Sequence, residues 1–370
     1  MKNLILIIFI SICTYLIADF GYSLKRASYN KSFFSQGCIK NSISLGYEYH
    51  SNMKCRYKRI IQNIIEYDNE FKINNFGFTS SFDYQYLKND KRRVAVLGYS
   101  MTEGNYIPVN WPSRITEISN GKLEVYNFAR AGYFNLNLYS LYFNQLIKYD
   151  YDILMLPKIG ANESQFMVFE ERADGVYDGL FKNIPLNVKQ YEHEYSNKLS
   201  LLYNFFDAKN DLSIMHRFVI LYENIILGKK IFSKLFGDNS INDVSDDYKI
   251  IAGLINYPER FNKIYGKRNI SVYLSIISDA LRRNQKIVFY QDPQKGIAPS
   301  DSKKDKTYEL YRWLNEIKPG SFFYYDGNDA FITEGVSDTK KYFFKNDGHW
   351  NQNGSDMFAK HLNNYLNGIY

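Results

Sequence analysis

Five short apolar runs, separated by helical patterns, limit what this chain can become. They are Arg93–Gly98 (RVAVLG), Leu123–Ala129 (LEVYNFA), Asp152–Pro157 (DILMLP), Lys286–Gln291 (KIVFYQ) and Ser321–Asp326 (SFFYYD). Runs this short, bounded by turn residues, read as strands buried on both faces. Apolar residues recur at helical spacing over Leu136–Tyr149, Ser271–Asn284, Lys306–Ile317 and Asn353–Leu366. Strands alternating with helices imply a parallel sheet covered on both faces, so the fold class expected is α/β.

The chain has 370 residues, 45% of them hydrophobic and 23% charged, enough to bury a sizeable core. Its net charge of +7 is modest, and the densest basic clusters, Lys88–Arg93 and Lys303–Lys306, are short and interrupted by an acid. No basic stripe marks a nucleic-acid binder, so none is expected as partner. Residues 25–90 read as a polar, irregular N-terminal extension packing on the core. One helix is expected there, over Tyr57–Tyr67 (YKRIIQNIIEY), on the spacing of its isoleucines. Residues 164–270 interrupt the alternation as a helical insertion in a domain spanning 91–370. Within it Ser213–Phe236 presents a broad apolar face, which reads as core cover or, as the sharper alternative, a lid or a membrane-resting surface.

The N-terminus reads as a membrane-targeting segment, with a buried core helix as the alternative. Leu4–Ala18 is almost wholly apolar and ends at Asp19. That is short for a spanning helix, which needs about 20 residues, and long enough for a signal-peptide core. No A-x-A cleavage site follows, and Cys13 lacks the small preceding residue of a lipoprotein signal. The favoured reading takes residues 1–24 as an uncleaved membrane anchor and the rest as extracytoplasmic. Of three cysteines, Cys13 lies in the apolar run, leaving Cys38 and Cys55 as a pair open to oxidation in such a compartment. No cysteine, histidine or carboxylate cluster has metal-ligand spacing, and no cofactor is expected.

In open parallel sheets, function collects at the carboxyl ends of the strands. The first run is followed by Gly98-Tyr99-Ser100-Met101-Thr102-Glu103-Gly104, the second by Arg130-Ala131-Gly132, and the third by Lys158-Ile159-Gly160-Ala161-Asn162-Glu163. Near the C-terminus comes Asn346-Asp347-Gly348-His349-Trp350. Together these segments offer a hydroxyl, a glycine N–H, a carboxamide and an Asp/His pair. Acyl transfer through serine needs those parts: a base to take the hydroxyl proton, a carboxylate to orient the base, and donors for the oxyanion. Alone, Ser100 reads as a helix N-cap; beside His349 and Asn162 it reads as a nucleophile. His50, His193, His216 and His361 lack comparable partners, and Glu103 reads as a turn-stabilising residue.

These segments resemble the four blocks of the SGNH hydrolases, the GDSL esterase/lipase superfamily. RVAVLGYSMTEG (93–104) is similar to the serine block, VYNFARAGY (125–133) to the glycine block, PKIGANE (157–163) to the asparagine block and DGHWNQNGSDMFA (347–359) to the histidine block. The resemblance implies a three-layer α/β/α sandwich, flavodoxin-like, with a five-stranded parallel sheet. It also implies Ser100 as nucleophile, His349 as base, Asp347 as its orienter, and Ser100, Gly132 and Asn162 as the oxyanion hole. Three positions depart from the family pattern: Tyr99 stands for the aspartate before the serine, Glu163 for the aspartate after the asparagine, and Asp347 precedes His349 by two residues rather than three. With export, the resemblance implies a serine esterase or O-acyltransferase acting on O-acyl, especially O-acetyl, groups of cell-surface carbohydrate. The alternatives are a lipid-ester hydrolase, or a catalytically silent domain that binds glycan or a partner.

Overall fold

The computed structural model describes residues 10–11, 13–15, 31–35, 37–42, 45–133, 135–159, 257–258, 260–265, 267–296 and 307–369. Asn162, Glu163, His193, His216 and most of the 164–270 insertion lie outside the described residues. So does the N-terminal apolar run, apart from helical residues 10–11 and 13–15. Among the described residues, no helix is long and apolar enough to cross a membrane.

The N-terminal extension is a β module. It comprises β1 (Lys31–Phe34), β2 (Ile39–Ser42), β3 (Gly46–Tyr49), β4 (Lys54–Ile61) and β5 (Ile64–Lys72). An antiparallel sheet of order β1-β4-β5 stands beside the β2–β3 hairpin, and a Cys38–Cys55 disulfide ties that hairpin to β4. The helix expected over Tyr57–Tyr67 is instead the β4–β5 hairpin. Its turn is Gln62-Asn63, both at positive φ (52° and 61°), with Ile61 opposite Ile64. Two left-handed residues in a two-residue loop match the twist of the flanking strands, which fixes a hairpin here. The isoleucines only mimic a helical stripe, for Ile64 and Ile65 are exposed (53% and 55%).

The rest of the described chain is an α/β/α sandwich. Its elements run β6 (Arg92–Val96), α1 (Ser100–Glu103), α2 (Trp111–Ile118), β7 (Leu123–Asn127), α3 (Asn135–Asn144), β8 (Ile153–Pro157), α4 (Arg260–Tyr265), α5 (Lys267–Arg282), β9 (Lys286–Gln291), α6 (Thr307–Ile317), β10 (Phe322–Asp326), α7 (Gly327–Thr333) and α8 (Gln352–Ile369). The five strands form one sheet of order β7-β6-β8-β9-β10, parallel throughout. Each apolar run of the sequence coincides with a strand to within two residues. The Leu136–Tyr149 pattern is shorter as a helix: α3 stops at Asn144 and a single 3₁₀ turn follows at Leu146–Lys148.

Strand side chains alternate between two cores, because successive Cβ atoms point to opposite faces. Val94, Val96, Ile153 and Met155 pack with Trp111 and Ile115 of α2 and Phe358, Leu362 and Leu366 of α8. Ala95, Leu154 and Leu156 pack with Leu138 and Leu141 of α3, Ile276 and Ile277 of α5, and Leu310 of α6. The β module joins this second core through Tyr47, Tyr49, Phe71 and Phe78. The strand order reverses at β6, which lies between β7 and β8. Such a switch point is where sheets of this kind open a crevice for ligands.

Candidate active site

Ser100 follows β6 at that switch point, as the first residue of α1. Tyr99 before it is extended (φ −113°, ψ −160°), so the chain turns sharply from strand to helix. The two glycines flanking the serine have separate causes. At Gly98 a Cβ would lie 2.5 Å from the Tyr290 hydroxyl and 2.6 Å from Thr102 Oγ1. Those two hydroxyls bond each other at 2.8 Å, and Tyr290 Oη donates to the Leu97 carbonyl at 2.8 Å. Gly104 ends α1 in the left-handed region (φ +64°), its N–H returning to the Ser100 carbonyl. A Cβ there would meet Asn110 Cβ at 2.6 Å.

His349 lies on a loop between a 3₁₀ turn at Thr339–Tyr342 and α8. Phe343 bridges to Trp350 as a short antiparallel pair, and the Phe344 N–H bonds the His349 carbonyl, so the loop is a small closed hairpin. The fully buried Trp350 anchors it in the core. The imidazole packs against Tyr106, ring centroids 4.5 Å apart.

Ser100, His349 and Asp347 form one hydrogen-bonded chain. His349 Nδ1 is 2.5 Å from Asp347 Oδ1, and His349 Nε2 is 2.8 Å from Ser100 Oγ. The same carboxylate oxygen also accepts the His349 backbone N–H at 3.0 Å. Burial pushes the Asp347 carboxyl up, but the hydrogen bonds and charge of His349, then the charge of Arg59, outweigh it and hold it well below the usual carboxylate range. An ionised carboxylate can only accept, so Nδ1 carries the proton and Nε2 is left to accept from the Ser100 hydroxyl. The Asp347 side chain is 5% exposed and that of His349 24%, so the acid is sealed while the imidazole stays within reach of solvent.

The glycine loop sits beside the serine helix. Gly132 has φ +76° and is half-buried. Its neighbour Ala131 donates its N–H to Glu103 Oε2 at 2.8 Å, and Asn105 Nδ2 bonds the same oxygen. Glu103, read from sequence as a turn residue, therefore also couples the serine turn to the glycine loop. Asn127 at the end of β7 adds to that link, its Nδ2 donating to the Thr102 carbonyl at 2.9 Å. The Tyr99 hydroxyl bonds Asn135 Oδ1 and lies 3.5 Å from the Lys158 carbonyl and 3.4 Å from Tyr273 Oη. Asn162, the fourth expected member, is outside the described residues. His361, set aside in the sequence reading, bonds Glu334 on an exposed face.

Two groups of residues around the site are not singled out by the sequence reading. One follows β9: Lys295 Nζ donates to the carbonyls of Phe344, Lys345 and Asp347 at 2.7, 2.7 and 3.0 Å, and Asp292 acts electrostatically on Tyr99, Tyr106 and Tyr290. The position of the KIVFYQ run as a strand was the available signal, since these residues sit at its carboxyl end. The other is Arg59, Glu66 and Tyr67 of the β4–β5 hairpin, for which the sequence held no signal. Among the described residues, no three His, Cys, Asp or Glu side chains come together in a way that could hold a metal ion.

No protein-family model and no curated protein matches the chain. Among solved structures it is similar to a lipase from goat rumen metagenome, at 13% identity over 74% of this chain and 96% of that one, with a TM-score of 0.30. It is also similar to a Corynascus thermopiles (Myceliophthora fergusii) carbohydrate esterase family 2 enzyme with its carbohydrate binding domain. That match has 9% identity over 84% of this chain and 72% of that one, with a TM-score of 0.28. The site's own geometry therefore carries the functional assignment.

Proposed function

We propose that the chain is an exported, membrane-tethered serine esterase or O-acyltransferase of SGNH type, acting on O-acyl groups, especially O-acetyl groups, of cell-surface carbohydrate. The observation that carries this reading is the unbroken Ser100–His349–Asp347 chain of hydrogen bonds at the sheet's switch point. In the reaction, the Ser100 oxygen attacks the ester carbonyl as His349 Nε2 takes its proton, and Asp347 holds the imidazole in the accepting tautomer. Ser100 N–H, Gly132 N–H and the Asn162 side chain receive the oxyanion, each donor contributing about a hundred- to a thousandfold in rate. The protonated His349 then gives its proton to the leaving sugar oxygen, and an acyl-Ser100 remains. Water or a second sugar hydroxyl, deprotonated by His349, resolves that intermediate; the first makes the protein a hydrolase and the second a transferase.

Acetate release from p-nitrophenyl acetate by the full chain, beside Ser100→Ala and His349→Ala, tests this. Turnover lost in both variants, with the fold retained, is the expected result. Equal turnover in all three proteins would sink the assignment. Added glycan acceptors that become acetylated would mark a transferase.

A further inference from the structure

The loop that carries Asp347 and His349 is held from outside the sandwich. Glu66, on β5, takes both donors of Asn346: Oε1 accepts its backbone N–H at 2.6 Å and Oε2 its carboxamide at 2.9 Å. One residue on, the second oxygen of Asp347, the one His349 does not use, faces Arg59 Nε of β4 at 3.5 Å and the Tyr67 hydroxyl of β5 at 3.4 Å. Tyr67 is buried, and its ring packs on Phe344 of the same loop and on Tyr106, the ring beneath His349.

We propose that Arg59 and Glu66 are positioning residues of the site: Glu66 clamps the loop at Asn346, and Arg59 pins the outer oxygen of Asp347 so that its inner oxygen stays aimed at the imidazole. The proposal rests on the serine chemistry of the preceding subsection. A carboxylate with one oxygen unheld can rotate about its Cβ–Cγ bond and lose the imidazole. A cation on the outer oxygen removes that freedom and draws negative charge away from the His349 side. Other charged or titratable groups around the pair are Tyr57 on the hairpin, Lys295 on the Asp347 carbonyl, and Asp292 and Glu103, which act on Tyr106. None of these bonds the outer oxygen of Asp347.

The test uses the full chain with Arg59→Gln, Arg59→Lys and Glu66→Ala. Arg59→Gln is expected to lower kcat about tenfold with KM unchanged, because the Asp347 carboxylate is then freer to turn from the imidazole. Arg59→Lys, which keeps the cation, should recover most of that kcat. Glu66→Ala should lower kcat about tenfold with KM unchanged, as expected when alignment rather than substrate binding is lost. A merely structural hairpin would lower stability and leave the kcat of the folded protein unchanged. An Arg59→Gln kcat equal to wild type would overturn the proposal. The low-field NMR signal of the proton between His349 Nδ1 and Asp347 gives the same comparison without turnover: its loss or weakening in Arg59→Gln supports the role and an unchanged signal refutes it. Absence of any ester turnover in the wild-type protein would instead count against the serine chemistry, and the NMR comparison would still decide the role of Arg59.

Discussion

The Tyr99 hydroxyl donates to Asn135 Oδ1 at 2.9 Å, joining the turn before Ser100 to the first residue of α3. Where the SGNH pattern has an aspartate, this chain has a phenol that bridges two loops of the site. Asp292 acts on the same spot, so a carboxylate at position 99 would face a like charge in a half-buried setting. Tyr99→Phe should cost about 1 kcal/mol, the usual worth of a buried hydrogen bond. Tyr99→Asp, which would introduce the aspartate of the SGNH pattern, should cost about 3 kcal/mol or more, from the lost ring and an unpaired carboxylate. Denaturant midpoints of the two variants check the order; a more stable Tyr99→Asp would contradict it.

Gly98→Ala places a methyl group against Tyr290 Oη and Thr102 Oγ1, two hydroxyls already committed to each other. A loss of about 1–3 kcal/mol is expected from the forced shift. Ser100 moves with the turn, so turnover should fall more than stability does. Gly104→Ala meets both a left-handed backbone and Asn110, and is expected to be at least as harmful. Thermal melts paired with ester turnover separate the two effects.

Asp347→Asn keeps the shape of the acid and removes its charge. The amide can present its NH₂ to His349 Nδ1, which turns the imidazole to the tautomer unable to accept from Ser100. Turnover should fall about a thousandfold or more. The same substitution has a signature in stability against pH. Because the folded carboxyl is held below its unfolded value, it contributes stability that is fully present above about pH 4 and is lost as the pH falls through the depressed folded value. Wild type should therefore lose more stability than Asp347→Asn between neutral pH and pH values below about 4. Parallel acid-unfolding curves for the two proteins would refute this.

Reducing the Cys38–Cys55 disulfide, or replacing both cysteines by serine, opens a link across a sequence separation of 17 residues. A loop of that size corresponds to about 3 kcal/mol of lost stability in the chain-entropy description. The β module also reaches the site's loops, for Tyr47 Oη bonds the Ala131 carbonyl and Asn69 Nδ2 bonds the carbonyls of Asn105 and Ile107. Turnover should accordingly fall on reduction before the sandwich itself unfolds, which activity and circular dichroism measured along one reductant titration would reveal.

The sheet was legible because a parallel strand covered on both faces is one unbroken apolar run, and Arg93–Gly98 or Asp152–Pro157 could form little else. The meeting of Ser100, Asp347 and His349 was legible because each follows a strand or sits in a short motif. The β4–β5 hairpin was not: Ile60, Ile61, Ile64 and Ile65 imitate a helical stripe, and the Gln62-Asn63 turn lacks the glycine that usually announces a two-residue loop. Arg59, Glu66 and Tyr67 were hidden for a different reason. Their meaning lies in partners such as Asn346 and Asp347 that no local pattern connects to them. Lys295 was hidden in the same way, for it acts by capping carbonyls, and backbone acceptors leave no trace in a sequence.

Tyr67 and Asp347 are 280 positions apart, and that span bears on how the protein comes into being. The hairpin is synthesised well before the loop it holds. Contacts of such long range close late, after local elements have formed. An unfinished chain can thus carry a complete hairpin and a well-made serine turn before the imidazole that bonds Ser100 exists. The hydrogen-bonded chain around Ser100 is completed only once the polypeptide has been made through His349.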